Sequence, residues 1–362
     1  MERYPQLVIN LTHLKENVEN MVRICAESGV SVTGVIKGCN GLPEVCKAYS
    51  DGGCKTLASS RVEHLKSLKE KGIGKELMLI RIPMLSEVED CISYADVSMN
   101  SNMETLLALN EEAKRQGKTH KVILMVEVGD LREGYWDRDE LVRDSVRIEK
   151  ELKNLYLEGV AMNVGCYGSV VPTPEKIQEL VDAAELVENA IGRKLDIISG
   201  GATTSLMRVM DGNMPKRVNN IRIGGEPMVG YTLKHVYGYP MTWEHEDVIR
   251  MRAQIIELRT KPSHPIGELG VDAFGHKPVY PNRGDRKRAI IGIGKLDYGA
   301  PEDIPNEDPT LEILGASSDH TIVDVEDHKK DLKVGDILEF RIKYAQIMYM
   351  SNSPNVHVKY VY

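Results

Sequence analysis

The chain has 362 residues, 42% of them hydrophobic and 28% charged, which suits a soluble globular protein and is long enough for two domains. Its 46 basic and 54 acidic side chains leave a net charge of −8, so it lacks the basic footprint of a nucleic-acid binder. No apolar run approaches the roughly 20 residues of a membrane span, and the opening MERYPQLVIN lacks the long apolar stretch of a secretory leader. These features lead to the expectation of a cytoplasmic protein.

From residue 31 to 224 a short β-rich run, a turn and an amphipathic stretch recur. The runs are SVTGVIK (31–37), CKTLAS (54–59), ELMLIRI (76–82), ADVSMN (95–100), KVILMVEV (121–128), LEGVAMN (157–163), LDIIS (195–199) and NIRIG (220–224). Helical periodicity fills the gaps. In TPEKIQELVDAAELVENAIG, residues Ile177, Leu180, Val181, Ala184, Val187 and Ile191 share one face; Thr173 and Pro174 start the helix and Gly192 stops it. Eight such strands in about 200 residues predict an α/β fold of the closed (β/α)8 type. An open doubly wound sheet is disfavoured because no G-x-G-x-x-G follows the first strand.

After residue 235 the texture turns to strands with Gly- and Pro-rich connections: VIRMRAQIIELRTK, RAIIGIGKLD, HTIVDVED and DILEFRIKYAQIMYM. The division predicted is a barrel over 1–235 and an all-β domain over 236–362, with residues 1–12 a candidate strand of that second domain. The six cysteines form no CxxC pair and all lie in the first half. Free, mostly buried thiols are expected, with neither a disulfide framework nor a metal site.

Function in a closed barrel gathers at the C-terminal ends of its strands. Those ends deliver Lys37; Ser59, Ser60 and Arg61; Arg81; Asn100 and Asn102; Glu127, Asp130 and Arg132; Asn163 and Cys166; the run SGGATTS from Ser199 to Ser205; and Arg222, Gly224 and Gly225. Glycine turns after strands seven and eight, with Thr203, Thr204 and Ser205 beside them, form a candidate phosphate cradle. Singly these would be ordinary turns with N-caps; their joint placement favours a site. A phosphate cradle, a lone lysine and an arginine at one mouth point to pyridoxal 5′-phosphate joined to Lys37.

VTGVIKGCNG, VEVGDLREGY, ISGGATTSL, IRIGGEP and ILGASSDHTIVDV, in this order, resemble the predicted amino-acid racemase family that includes ornithine racemase. More distantly they resemble alanine racemase. The resemblance extends from LVINLTHLKENV to SPNVHVKY. It implies a fold-type III pyridoxal-phosphate enzyme, a (β/α)8 barrel with a C-terminal β-domain. The expected assembly is a head-to-tail homodimer whose sites are completed by the partner's β-domain. Carried over by position, Lys37 is the Schiff-base lysine and one proton-transfer base, and Arg222 faces the pyridine nitrogen. Arg132 sits by the phenolic oxygen and the substrate carboxylate. Asn163, Ser199, Thr203, Thr204, Gly224, Gly225 and Tyr344 complete the cofactor set.

Three positions depart from alanine racemase: Gly41 replaces a phosphate-binding tyrosine, Asn163 a histidine, and Lys295 the tyrosine that serves as second base. Lys295, Asp297, Tyr298 and His320 are therefore all candidates for that base, with a role limited to ordering the β-domain as the alternative for each. Ser318 and Asp319, in the SSDH loop, are expected near the substrate.

The activity implied is racemisation of ornithine or another basic amino acid such as lysine, with Asp297, Asp319 and Glu226 as candidates for the side-chain ammonium. Alanine or broad-specificity racemisation is the alternative within the family. A D-threonine-type aldolase would need a metal, for which His245 and Asp247 have the spacing. A non-catalytic pyridoxal-phosphate carrier would lack the β-domain, and a barrel binding another phosphorylated metabolite would be colourless.

Overall fold

The computed structural model describes residues 2–277 and 279–362. It divides into two units, one of residues 11–245 and one of residues 1–10 with 246–362. The chain starts with strand β1 (Gln6–Asn10), followed without a break by helix α1 (Leu11–Glu27). Eight strand–helix steps then follow: β2 (Ser31–Val35), α2 (Pro43–Asp51), β3 (Thr56–Ser59), α3 (Val62–Glu70), β4 (Glu76–Leu79), α4 (Val88–Tyr94), β5 (Val97–Asn100), α5 (Met103–Arg115), β6 (His120–Met125), α6 (Arg138–Glu151), β7 (Leu155–Ala161), α7 (Pro174–Ile191), β8 (Ile197–Ser199), α8 (Leu206–Met210), β9 (Asn220–Ile223) and α9 (Glu226–Val229).

β2 to β9 form a closed parallel barrel, with β9 pairing back onto β2 through Ser31↔Asn220 to Gly34↔Ile223. All eight expected strands are present, and the (β/α)8 architecture is observed. A parallel strand covered by helices is buried on both faces, so it reads as a continuous apolar run. The barrel's packed cluster draws Val35, Ala58, Met78, Val97, Met99, Ile123, Met125 and Ala161 from β2 to β7. Helix α7 starts and stops at the expected residues: the Thr173 hydroxyl accepts from the Lys176 N–H at 3.3 Å, and Gly192 closes it at φ +78°. Among the described residues no helix is long and apolar enough to cross a membrane.

One buried group makes the barrel sensitive to acid. His120, at the start of β6, is 3% exposed, and its Nε2 meets the Ser98 hydroxyl at 2.8 Å. Burial pushes its imidazole from 6.5 down to about 4. Between those values the unfolded chain holds a proton that the folded chain refuses, so stability falls as pH drops through the window. The expected contribution is roughly 3 kcal/mol lost from pH 6.5 to 4. Denaturant titrations across that range should show the loss, and His120→Asn should flatten it.

The second unit is built on a seven-stranded sheet. Its strands beyond β1 are β10 (Ile249–Pro262), β11 (Asp285–Ile291), β12 (Glu312–Ala316), β13 (Thr321–Asp324), β14 (Ile337–Arg341) and β15 (His357–Val361), with short helices α10 (Lys295–Tyr298) and α11 (Tyr344–Met350). The order is β12-β13-β11-β10-β1-β15, with β14 also on β10. β1 runs antiparallel to β10 and parallel to β15, so the opening strand does join this sheet.

Two details differ from the sequence reading. The division falls at 245/246 rather than 235/236. Residues 236–245 are tied to the barrel's own helices: the Asn17 amide donates to the Pro227 and His245 carbonyls at 3.0 and 2.9 Å, and its oxygen accepts from the His245 N–H at 2.7 Å. Also, the YAQIMYM end of the last expected strand is helix α11. It buries Gln346, Ile347 and Met350, which is helical spacing, and seven residues are too few to separate that period from alternation.

Candidate active site

Lys37 follows β2 after buried Ile36 and opens a tight 3₁₀ turn, Lys37–Cys39. The Asn40 N–H bonds to the Lys37 carbonyl at 3.3 Å, and Asn40 sits in the left-handed region at φ +52°. The turn is locked from the next barrel unit. His64 of α3 places Nε2 at 2.9 Å from the Asn40 side-chain oxygen and Nδ1 at 2.9 Å from the Ser59 hydroxyl. An amide oxygen only accepts, so the ring carries its proton on Nε2. The His64 ring also explains Gly41: a Cβ there, at φ +63°, would stand 2.8 Å from the imidazole. The Lys37 side chain is open to solvent yet has protein on several sides. That crowding, then the charge of Arg132 and more weakly that of Arg222, pulls its amine below the ordinary lysine value.

The segment after β6 doubles back on itself. Val126 bridges to Tyr135, and the Glu127 N–H bonds the Tyr135 carbonyl at 3.1 Å. Buried Glu127 accepts from the N–H groups of Gly129 and Arg132 at 2.5 and 3.0 Å. Fully buried Asp130 accepts from the N–H groups of Gly165 and Val170, at 3.1 and 3.3 Å, so it fastens the loop after β7 to the loop after β6. Arg132 and Glu133 are left at the tip. Arg132 donates to Glu133 at 2.6 Å and, from its other terminal nitrogen, to the Cys166 sulfur at 3.3 Å.

Arg222, on β9, is 5% exposed and pinned by two bonds of 2.7 Å, one to the Ser199 hydroxyl and one to the Met162 carbonyl. Ser199 in turn donates to Asn220 at 2.6 Å. Burial lowers the guanidinium to about 10, which leaves it protonated at neutral pH and able only to donate. Asn163 follows Met162 beyond β7 and is half-buried.

The glycine turns after the last two strands have the following geometry. Thr203–Ser205 form a short turn ahead of α8. The hydroxyl oxygens of Thr204 and Ser205 are buried and make no hydrogen bond. A Cβ on Gly201, at φ +115°, would lie 2.4 Å from the Ser205 oxygen, and one on Gly165 2.8 Å from the Thr204 oxygen. Two orphaned donors walled by glycine are a costly arrangement unless an acceptor enters, and a phosphate monoester offers one. Gly224 and Gly225 lead into α9, and the hydroxyl of buried Tyr49 donates to the Gly224 carbonyl and fixes that turn.

The β-sheet unit sorts the remaining candidates. Tyr298 is wholly buried with its hydroxyl 2.7 Å from that of Thr321, and burial pushes it up to about 12. It is a core residue rather than the base candidate the sequence suggests. Asp297 is 5% exposed and accepts from the Ser353 hydroxyl at 2.7 Å, so it too is structural, as base and as ammonium partner. Lys295 and His320 remain. The Lys295 ammonium lies 4.1 Å from the centre of the Phe274 ring, and the Lys295 backbone N–H donates to the Ser317 carbonyl at 2.9 Å. The Leu296 N–H bonds to the Ser318 carbonyl at 3.0 Å, so half-buried Lys295 and the exposed Ser318, Asp319, His320 loop form one cluster. Tyr344 begins α11, half-buried.

Glu226 is 3% exposed, and its carboxylate accepts from the Leu233 N–H at 2.9 Å. It is a structural group and leaves the set of ammonium partners. His245 stacks on His13 with ring centres 4.1 Å apart and pairs with Glu16 at 2.7 Å. The sequence reading missed His64, Tyr49 and Glu133. Glu133 had a local signal, a carboxylate beside Arg132; the other two act across long sequence separations.

The alanine racemase N-terminal domain model matches residues 9–226. The chain is 40% identical to the ornithine racemase of Acetoanaerobium sticklandii over 95% of its length and 96% of that protein. It is 34% identical to the lysine racemase of Thermotoga maritima over 99% and 98%. A crystal structure of alanine racemase from Streptomyces lavendulae superposes with a TM-score of 0.77 at 18% identity, covering 100% of this chain and 98% of that one, and so shares the fold. The closed barrel, its strand-end lysine and these alignments together mean that the chain belongs to the alanine racemase N-terminal domain family.

Proposed function

We propose that this chain is a pyridoxal-phosphate-dependent racemase of basic amino acids, with ornithine the first substrate to test and lysine the second. The observation that carries the reading is the pair of buried, unpartnered hydroxyls of Thr204 and Ser205 at the barrel end that also holds Lys37 and Arg222. The full-length likeness to an ornithine and a lysine racemase supports the substrate class.

When bound, the cofactor would supply an electron sink that acidifies the substrate Cα–H. Thr203, Thr204, Gly224 and Gly225, with Tyr344 as a further candidate, would hold its phosphate. Arg222, pinned by Ser199 and Met162, would face the cofactor's ring nitrogen and, staying protonated, could only donate a hydrogen bond to it. Arg132 pairs with the substrate carboxylate. Lys37, its amine drawn below the ordinary lysine value, would first hold the cofactor and then take or return a proton on one face of Cα. Inversion needs a second base on the other face, and Lys295 fills that role, with Ser318 and Asp319 beside it. That residue and His320 sit on the β-sheet unit, and the connection between β10 and β11 exposes Ile266, Leu269, Val271 and Phe274. Both features support a homodimer in which the sheet unit of one copy completes the mouth of the other. Five buried free cysteines suit a cytoplasmic setting.

Gly201→Ala places a methyl group against Ser205 at a φ that disfavours side chains, and should weaken pyridoxal phosphate binding by about tenfold or more. A spectroscopic titration of the stripped protein would show it. The reading itself is tested by following optical rotation of L-ornithine, L-lysine and L-alanine with the pyridoxal-phosphate-loaded protein. Decay of rotation, fastest with ornithine, is expected; constant rotation with all three overturns the proposal.

A further inference from the structure

Resting on the racemase reading, we infer that Glu133 is the residue that selects a cationic side chain, by accepting the distal ammonium of the amino acid. The mouth gathers two guanidinium cations, Arg132 and Arg222, beside Lys37. The α-carboxylate of any amino acid satisfies one of them. A second positive charge on the substrate would be repelled unless an anion faces it.

Most carboxylates delivered to this end are already committed. Glu127 binds two backbone N–H groups, Asp130 holds the loop after β7, Glu226 caps the chain at Leu233, and Glu87 accepts from Arg81 at 2.6 and 2.7 Å and from the Met84 N–H at 3.2 Å. Glu133 is different in kind. It stands at the loop tip, and its charge acts on both Lys37 and Arg222. Its partner is the neighbouring Arg132, through a bidentate contact with 36% and 23% of the two side chains exposed.

A pair only partly buried at the mouth contributes less than a buried one, so its partners can be exchanged at modest cost. A diamino acid offers the exchange in full: its carboxylate replaces Glu133 on Arg132, and its distal ammonium replaces Arg132 on Glu133. An amino acid with a neutral side chain completes only the first half and leaves Glu133 without a partner in a crowded site, which is a penalty against it. The same pair therefore both admits ornithine and disfavours alanine or norvaline.

The test is Glu133→Gln in the loaded enzyme, with kcat/KM measured for ornithine and alanine and with the rise in Tm produced by ornithine and by norvaline. The ratio of kcat/KM for ornithine over alanine should fall about a hundredfold, chiefly through the ornithine KM. Ornithine should raise the wild-type Tm more than norvaline does, and the variant should lose that difference. If both substrates decline in parallel and the Tm difference persists, Glu133 merely orients Arg132 and the inference fails while the racemase reading stands. If the wild type racemises nothing, that reading fails, and the Tm comparison alone then decides whether Glu133 recognises an ammonium.

Discussion

Lys37→Ala is expected to abolish racemisation, by at least about a thousandfold, and to remove the visible absorption that a lysine-bound cofactor gives the protein. The fold should survive. Lys37 lies at the solvent-open mouth, outside the packed barrel cluster, and its removal also relieves repulsion with Arg132 and Arg222. Circular dichroism and Tm near those of the wild type, together with partial rescue by added methylamine, would separate loss of the amine from loss of structure. The depressed amine has a further consequence. Because its neutral form is the reactive one, wild-type rates should rise with pH through a value below the ordinary lysine range. A colourless wild type, or an alanine variant that keeps colour and activity, would contradict the assignment.

Lys295→Ala should separate the two faces of the reaction. Racemisation is expected to fall by about 10² to 10⁴, while exchange of the Cα hydrogen with solvent continues from the enantiomer that presents it to Lys37. Proton NMR in deuterated buffer, run with each pure enantiomer, reads this directly. The prediction follows from the local structure. Of the four candidates, Tyr298 and Asp297 are buried and hydrogen-bonded within the sheet unit, whereas Lys295 is only half-buried, with its ammonium over the Phe274 ring. His320→Ala is the comparison. If it stops inversion while Lys295→Ala does not, the second base is the histidine, and Lys295 orders the loop through its N–H bond to Ser317.

The barrel was legible because covered parallel strands must be apolar throughout, and because α7 carries its own start and stop signals at Thr173 and Gly192. Lys37, Arg222 and the glycine turns were legible for a related reason: each lies at or just beyond the C-terminal end of a strand, and the fold dictates where strand ends meet. What the sequence concealed depends on contacts between distant residues. Nothing local in GKLDYG says that Tyr298 is buried; its fate rests on Thr321, 23 residues away. Nothing near Lys37 reveals that His64 bonds Asn40 across 24 residues. The division between the units moved because Asn17 reaches residues more than two hundred positions later. Glu133 was visible beside Arg132, but its position at the mouth follows only from the fold-back that pairs Val126 with Tyr135.

The claim on which the rest depends is that one amine, that of Lys37, carries the cofactor. Loading the wild-type protein with pyridoxal phosphate, reducing with borohydride and mapping the modified peptides by mass spectrometry tests it most directly. The account predicts a single phosphopyridoxyl group, on the peptide that contains Lys37. Label on another lysine, or scattered over surface lysines with none at position 37, would contradict it.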